Sequence, residues 1–204
     1  MLSVPVSVLA RQAASGTLFN SFTTAKSMLN ADAKLTLPKN FLSKGRYLRV
    51  TALMGISNIV TSQPTFTFQI MVGAVVAWSS GAVLCDTTAH VIYPAKLVVD
   101  IRVDAEGSGT AGKLIAIGEL SGKMFVISGA VADPTLGIGK FLLPDSGIAQ
   151  GTGFNFNAEN VLDFWCGISA SNAANGCQVF NYYVEDLSAD RGTIGAMLAT
   201  YQGA

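Results

Sequence analysis

The sequence carries little charge. Of its 204 residues, 13 are basic and 13 acidic, so the net charge is zero and charged residues make up 13%, about half the usual share. A chain with no excess of either sign has no electrostatic footprint for nucleic acid or for an anionic membrane surface. Histidine is nearly absent, with His90 alone, and the three cysteines, Cys85, Cys166 and Cys177, form no Cys-x-x-Cys pair. A zinc centre needs a closely spaced set of such ligands, so no metal is predicted. An odd number of scattered cysteines suits buried thiols in a reducing cell better than a disulfide framework. Cys166 and Cys177 could face each other across a hairpin, which spacing alone does not decide.

Long hydrophobic runs are missing too. No charged residue occurs between Arg49 and Asp86, yet Thr, Ser, Asn and Gln are scattered through that stretch. Its densest apolar run, Ile70 to Trp78, is about half the length that spans a bilayer, so no membrane helix is predicted. The opening "MLSVPVSVLARQAASG" has a short apolar core, but its first positive charge, Arg11, follows that core. No signal peptide is expected from that order.

Apolar residues are plentiful, at 50% with a mean hydropathy of +0.44. With so few charges left to form a polar skin, part of the surface is expected to be covered by other chains, as in an obligate oligomer or assembly subunit. Their arrangement has period two. In "RYLRVTALMGIS", Leu48, Val50, Ala52, Met54 and Ile56 share one face, with Tyr47, Arg49 and Thr51 on the other. "TFTFQIMV" sets Phe66, Phe68, Ile70 and Val72 against Thr65, Thr67 and Gln69. "KLVVDIRVD" does the same with Leu97, Val99, Ile101 and Val103 against Lys96, Asp100, Arg102 and Asp104. "NVLDFWCGIS" and "CQVFNYYVEDL" read as another pair across "ASNAANG", and shorter strands are expected at 33–37, 74–78, 113–120 and 124–128. About eight strands, each with one apolar face and bounded by Gly, Asn, Ser and Pro, predict an all-β protein: an antiparallel β-sandwich of jelly-roll type over residues 33–188. Residues 1–32 lack regular alternation and read as an N-terminal arm. Residues 189–204 read as a C-terminal tail, with Ser188 placed to cap a short helix.

Four groups of residues invite a chemical reading. "GSGTAGKL", Gly107 to Leu114, is one letter from a phosphate-binding loop and satisfies G-x-G-x-x-G. Such loops wrap phosphates at a helix N-terminus and end in a hydroxyl for Mg²⁺. Here that last position is Leu114, and alternating strands flank both sides, so a hairpin loop is predicted and no nucleotide. "GISAS" around Ser169 ends in Ser171 where a nucleophile elbow needs glycine, and His90 has no marked partner for a triad. Asp163, Glu185 and Asp186 are candidate paired carboxylates; the last two are adjacent on one strand and face opposite ways, so all three are read as solvated or intersubunit charges. Trp78, Phe164, Trp165, Phe180, Tyr182 and Tyr183 either line a sugar platform or fill the core or an interface, and the second is expected. No catalytic, cofactor-binding or metal-binding residue is predicted.

The order of segments resembles a group of small structural proteins of tailed bacteriophages. The resemblance runs through "AKLTLPKNFLSKGRYLRVTALMGIS", "PTFTFQIMVGAVVAWSSGAV", the hairpin "KLVVDIRVDAEGSGTAGKLIAIGEL" and "NAENVLDFWCGISASNAANGCQVFNYYVEDLS", about 33–188. Its motifs are Leu37 to Phe41, Gly45 to Arg49, Thr65 to Val76 and Glu185 to Ser188. This chain departs from the pattern by continuing past Leu187. The resemblance implies a non-enzymatic virion protein, a homo-oligomer and often a trimer, made in the host cytoplasm and placed on the phage head. There it would decorate or cement the shell by bridging major capsid protein subunits, without cofactor. A tail- or fibre-associated receptor- or glycan-binding module is the alternative. On this reading the two end segments are docking arms, so removal of Met1–Asn30 or Thr193–Ala204 is expected to weaken attachment and leave the sandwich folded.

Overall fold

A computed structural model describes residues 7–59, 63–126, 140–144 and 147–188. Fifteen strands lie among them. The first five are β1 (Ser7–Arg11), β2 (Phe19–Asn20), β3 (Lys26–Ser27), β4 (Leu35–Leu37) and β5 (Tyr47–Asn58), with a 3-10 turn at Ala31–Ala33. Next come β6 (Thr65–Val72), β7 (Val75–Ser79), β8 (Val83–Cys85), β9 (His90–Ala105) and β10 (Gly112–Ser121). The last five are β11 (Phe125–Val126), β12 (Lys140–Leu143), β13 (Ala149–Phe154), β14 (Asn160–Ile168) and β15 (Gly176–Asp186).

They form two antiparallel sheets. The first runs β1–β15–β5–β9–β10–β12, with β2 also on β15 and β13 also on β10. The second runs β11–β8–β6–β14–β3, with β4 on β14 and β7 on β6. The pairs nest along the chain: β1 with β15, β3 and β4 with β14, β5 with β9, and β6 with β7. Alternate members of this nest fall in opposite sheets, which is the jelly-roll winding. The β9–β10 hairpin, with β12 and β13, widens the first sheet beyond β9.

Alternation decides the core, as predicted. Leu48, Val50, Ala52, Met54 and Ile56 of β5 and Leu97, Val99, Ile101 and Val103 of β9 are buried from the first sheet. Phe66, Phe68, Ile70 and Val72 of β6 meet them with Leu162, Phe164, Cys166 and Ile168 of β14. Phe68 stacks on Phe66 and Phe164 with centroids 6.2 and 6.1 Å away, and the Phe125 ring stands edge-on at 6.0 Å. Each such side chain contributes roughly 1.5–3 kcal/mol by leaving water, so this layer supplies most of the drive to fold. In β15 the parity changes. Cys177 and Val179 point inward, and then Tyr182 and Val184 do, because the pairing with β5 shifts between Val179 and Asn181. Strict alternation would bury Asn181 and expel Tyr182; the bulge reverses both.

Two expectations are corrected. Residues 7–32 do not lie outside the sandwich as an arm: β1 is the strand paired to β15, and β3 pairs β14. The Gln12 and Gly16 amides donate to the Tyr182 and Val179 carbonyls at 2.8 and 2.7 Å, while Phe22, Met28 and Leu29 are buried. Lys26 holds its ammonium 4.6 and 4.3 Å from the Phe19 and Phe22 ring centres. Strands of two to five residues, one of them with a register shift between Val8 and Ala10, are too short to show a period. Second, β14 and β15 are not a hairpin. They belong to opposite sheets, and the segment 169–175 arches between them, held by Asn175, whose side chain accepts from the Ile59 amide and donates to the Ala170 carbonyl. An Asn- and Gly-rich link reads the same whether it turns within a sheet or crosses to the next. Cys166 and Cys177 therefore lie on opposite walls of the core, and all three cysteines are free and buried. The expected helix over 189–204 lies outside the described residues.

Deleting Met1–Asn30 removes β1 to β3 and uncovers the edges of β15 and β14, the reverse of a harmless trim. The shortened chain is expected to lose its cooperative thermal transition or to enter the insoluble fraction; a melting curve like that of the full chain would contradict this.

The core also predicts a response to alkali. Burial, and then the Asp86 charge, push the Cys85 thiol from an ordinary 9.0 up to about 12. Burial, and then contact with Cys177, raise Cys166; burial, and then the Asp163 charge, raise Tyr182 above its ordinary 10.0. The folded chain thus holds these protons more tightly than the unfolded one. Their contribution to stability is complete below pH 9 and is lost as pH rises toward 12. The urea midpoint should fall steadily from pH 9 upward, less steeply in Cys85→Ala; a flat profile would rule the linkage out.

Candidate functional site

The glycine loop is the predicted hairpin, joining β9 to β10. Gly109 has φ +64, and a Cβ on Gly112 would lie 2.6 Å from the Phe156 ring. These glycines let the turn close over the stacked Phe154 and Phe156 rings, 5.7 Å apart. His90 opens β9 with Nε2 3.0 Å from both carboxylate oxygens of Asp86 and its ring 4.4 Å from that of Tyr93.

The six aromatics do not form a platform. Trp78, Phe164 and Tyr182 are core residues, with the Trp78 indole N–H donating to the Leu143 carbonyl at 3.2 Å. Trp165 faces away from them, on the outer side of the second sheet. Phe180 and Tyr183 lie on the first sheet.

Nor are the three carboxylates a pair. Glu185 and Asp186 lie on β15, where Asp186 binds Arg46, whereas Asp163 lies on β14 of the other sheet. Asp163 corrects its reading as a solvated charge, since it is 6% exposed. Four donors compensate for that burial. Oδ1 accepts from the Ser27 hydroxyl and the Phe164 amide, both at 2.8 Å, and Oδ2 from the Trp165 indole and the Lys34 ammonium, both at 2.9 Å. A carboxylate so engaged is a clasp that ties β3 and the β4 segment to β14, with no lone pair left for chemistry.

One open surface is the outer face of the first sheet. Three ion pairs in its polar half close within the chain. Arg49 Nε and Nη2 donate to Asp100 Oδ1 and Oδ2 at 2.7 and 2.9 Å across β5 and β9, and this hydrogen bonding raises the Arg49 pKa. Arg102 reaches Asp104 at 3.2 Å and Lys140 reaches Glu119 at 3.1 Å. Arg49, Val98, Asp100, Ile117, Glu119 and Leu142 bound a shallow hollow of about 270 Å³. Among the described residues no aromatic ring lines it.

The other half is apolar and sits over Gly55. A Cβ there would meet Ile92 Cγ2 and Phe180 Cε2 at 2.6 Å, so both side chains rest on the strand itself. Val91 is 83% exposed, Ile92 44%, Phe180 41% and Leu53 38%, with exposed Pro94 beside them. Two irregularities assemble this patch. The β15 bulge lies at Phe180, and the β5–β9 register shifts between Ile56 and Asn58. Ile92 has φ 51, a conformation costing a β-branched residue about 1–3 kcal/mol. It is held there by its amide donating to the Ser57 hydroxyl at 2.9 Å, while Asn58 donates to the Thr88 carbonyl at 3.0 Å. The sequence reading passed over Leu53, Val91 and Ile92. The available signal was "HVIYP", where two adjacent apolar residues before a proline cannot both face inward.

Asp163→Asn keeps the shape and removes the charge, and its amide cannot accept from all four donors. A loss of about 1–3 kcal/mol in unfolding free energy is expected from the donors left unpaired, together with faster proteolysis near residues 27–34; an unchanged urea midpoint would show that the clasp contributes nothing.

No family model matches the chain, and no curated protein does. Among solved structures the chain is similar to one described as the CBM2 module of the evolved Dit of Lactobacillus casei BL23 phage J-1, at 14% identity and a TM-score of 0.35, over 88% of this chain and 95% of that one; a likeness of that degree says nothing of ligand or partner.

Proposed function

We propose that the chain is a non-enzymatic assembly module of a tailed-phage particle, which works by seating the outer face of its first sheet on a neighbouring subunit. The observation behind this is an exposed apolar patch on a sheet whose outer face also carries three ion pairs closed within the chain, Arg49 with Asp100, Arg102 with Asp104 and Lys140 with Glu119. Covering such a patch releases water, and those pairs need no counter-charge from the partner. Among the described residues nothing is arranged for bond chemistry: His90 is engaged by Asp86, Asp163 is saturated, and no three His, Cys, Asp or Glu residues cluster to hold a metal.

The phage setting rests on the sequence resemblance. Two placements follow from it. On the head, the chain would cement major capsid protein subunits; on the tail or a fibre, the same face would meet a tail protein or a glycan. Among the described residues the hollow beside Arg49 and Asp100 has an aliphatic rim and no lining ring for a sugar to stack on, which favours a protein partner.

Labelled chain mixed with purified heads, purified tails and host polysaccharide separates the placements. Co-sedimentation with heads supports the cement role, and with tails the tail-associated one. In either case the double variant Val91→Asp, Phe180→Asp is expected to bind at least about tenfold more weakly, roughly 1.4 kcal/mol, with its melting temperature unchanged. Binding to polysaccharide alone, binding to none of the three, or undiminished binding by the double variant would overturn the docking role.

A further inference from the structure

We infer that the hollow across β9, β10 and β12 is the seat of this chain's own C-terminal segment, residues 193–201, which packs its apolar side chains there. The inference concerns the hollow alone and stands whether or not the patch over Gly55 meets a neighbouring subunit.

Among the described residues nothing covers the hollow. Val98, Ile117 and Leu142 bring aliphatic surface to it from three successive strands, with Ile117 opposite Asp100 and Leu142 opposite Glu119. Leu142 is 66% exposed and Ile117 38%. Leu142 also belongs to the last strand of the sheet, β12, which spans only Lys140–Leu143. An exposed edge strand is commonly covered by another segment of its own chain.

The described fold ends close by. Leu187 donates its amide to the Tyr47 carbonyl at 2.9 Å, and Ser188 Oγ accepts from the Tyr47 amide at 2.8 Å, so the chain is pinned at the start of β5. Tyr47 is level with Arg102, and Arg102 with Ile115. Ile117 therefore lies two strands across and two residues along from Tyr47. At strand spacings of about 4.8 Å and a rise of about 3.3 Å per residue, that is roughly 12 Å. The stretch 189–194 reaches about 20 Å when extended, and Gly192 within it offers a place to turn back over the sheet.

The segment also has the chemistry the hollow asks for. Ile194, Met197, Leu198 and Tyr201 are spaced i, i+3, i+4 and i+7, which gathers side chains on one face of a helix. No charged residue follows Arg191. The charges around the hollow are closed on each other, Arg49 with Asp100 and Lys140 with Glu119. A charged occupant would lose hydration there and gain no counter-charge, whereas an uncharged one loses nothing of the kind. Tethering settles the competition with outside ligands. A segment held by a short linker is present at about millimolar effective concentration, so aliphatic contacts too weak to hold a free ligand suffice to seat it.

Methyl NMR on the full chain, compared with the chain ending at Ser188, tests this, because the shorter chain keeps every described strand. The Ile117 and Leu142 methyl resonances are expected to move between the two while those of Val91 and Ile92 stay. In the full chain, Overhauser contacts are expected from the methyls of Ile194, Met197 or Leu198 to those of Ile117 or Leu142. The double variant Met197→Asp, Leu198→Asp should lose these contacts and bring Ile117 and Leu142 to their positions in the shorter chain. Unmoved Ile117 and Leu142 resonances, or no such contacts, overturn the inference. So does movement at Val91 and Ile92 instead, which would put the segment over Gly55. Contacts that vanish on dilution overturn it as well, since the segment would then come from another molecule. If the shorter chain does not fold, the Asp double variant decides alone, and unmoved resonances in it count equally against the inference.

Discussion

β5 is hydrogen-bonded along nearly its whole length on both sides, to β15 and to β9, and its register against them decides what the rest of the molecule can be. Because side chains alternate, a slip of one residue would send Leu48, Val50, Ala52, Met54 and Ile56 into water and bring Arg49 into the core. The apolar layer beneath holds the register from inside, and the bidentate Arg49–Asp100 bond marks it from outside. An exposed ion pair contributes about 0–1 kcal/mol, so the core is the stronger of the two restraints. The nesting of the other strands follows, since β1 needs the free edge of β15 and the β10 hairpin needs that of β9.

The departures from regular pairing matter as much as the pairing. The bulge in β15 returns Tyr182 to the core, and Phe180 faces outward immediately before it. The shift between Ile56 and Asn58 opens the ladder where Ile92 takes a left-handed backbone, stapled by Ser57. Both fall beside Gly55, the position where a missing side chain lets Ile92 and Phe180 settle on the strand. Two local irregularities thus convert an ordinary solvent-facing sheet into one with an apolar half and a polar half. Asp163 shows the opposite use of a polar residue: surrounded by four donors, it binds the N-terminal segment to the second sheet and is spent in doing so.

Much of the fold was legible because the long strands each have a strict period of two: β5, β6, β9 and β14 bury the side chains that alternation selects. The hairpin reading of Gly107 to Gly112 also needed no structure, since strands on both sides leave no helix to cradle a phosphate. The candidate site was less legible. Leu53, Val91, Ile92 and Phe180 come from three strands, and only Phe180 was singled out from its own segment.

The sequence by itself determined the class of fold, the inward set of the long strands and the shortage of charge that makes the surface apolar. These are local or additive properties, readable from spacing and counts. Tertiary structure decided that residues 7–32 complete the sheets, that β14 and β15 part to opposite sides, and that a patch gathers over Gly55. Those outcomes depend on which strand lies beside which and on where a ladder slips by one residue. Both are settled by packing between segments far apart in the chain, and neither leaves a period for the sequence to show.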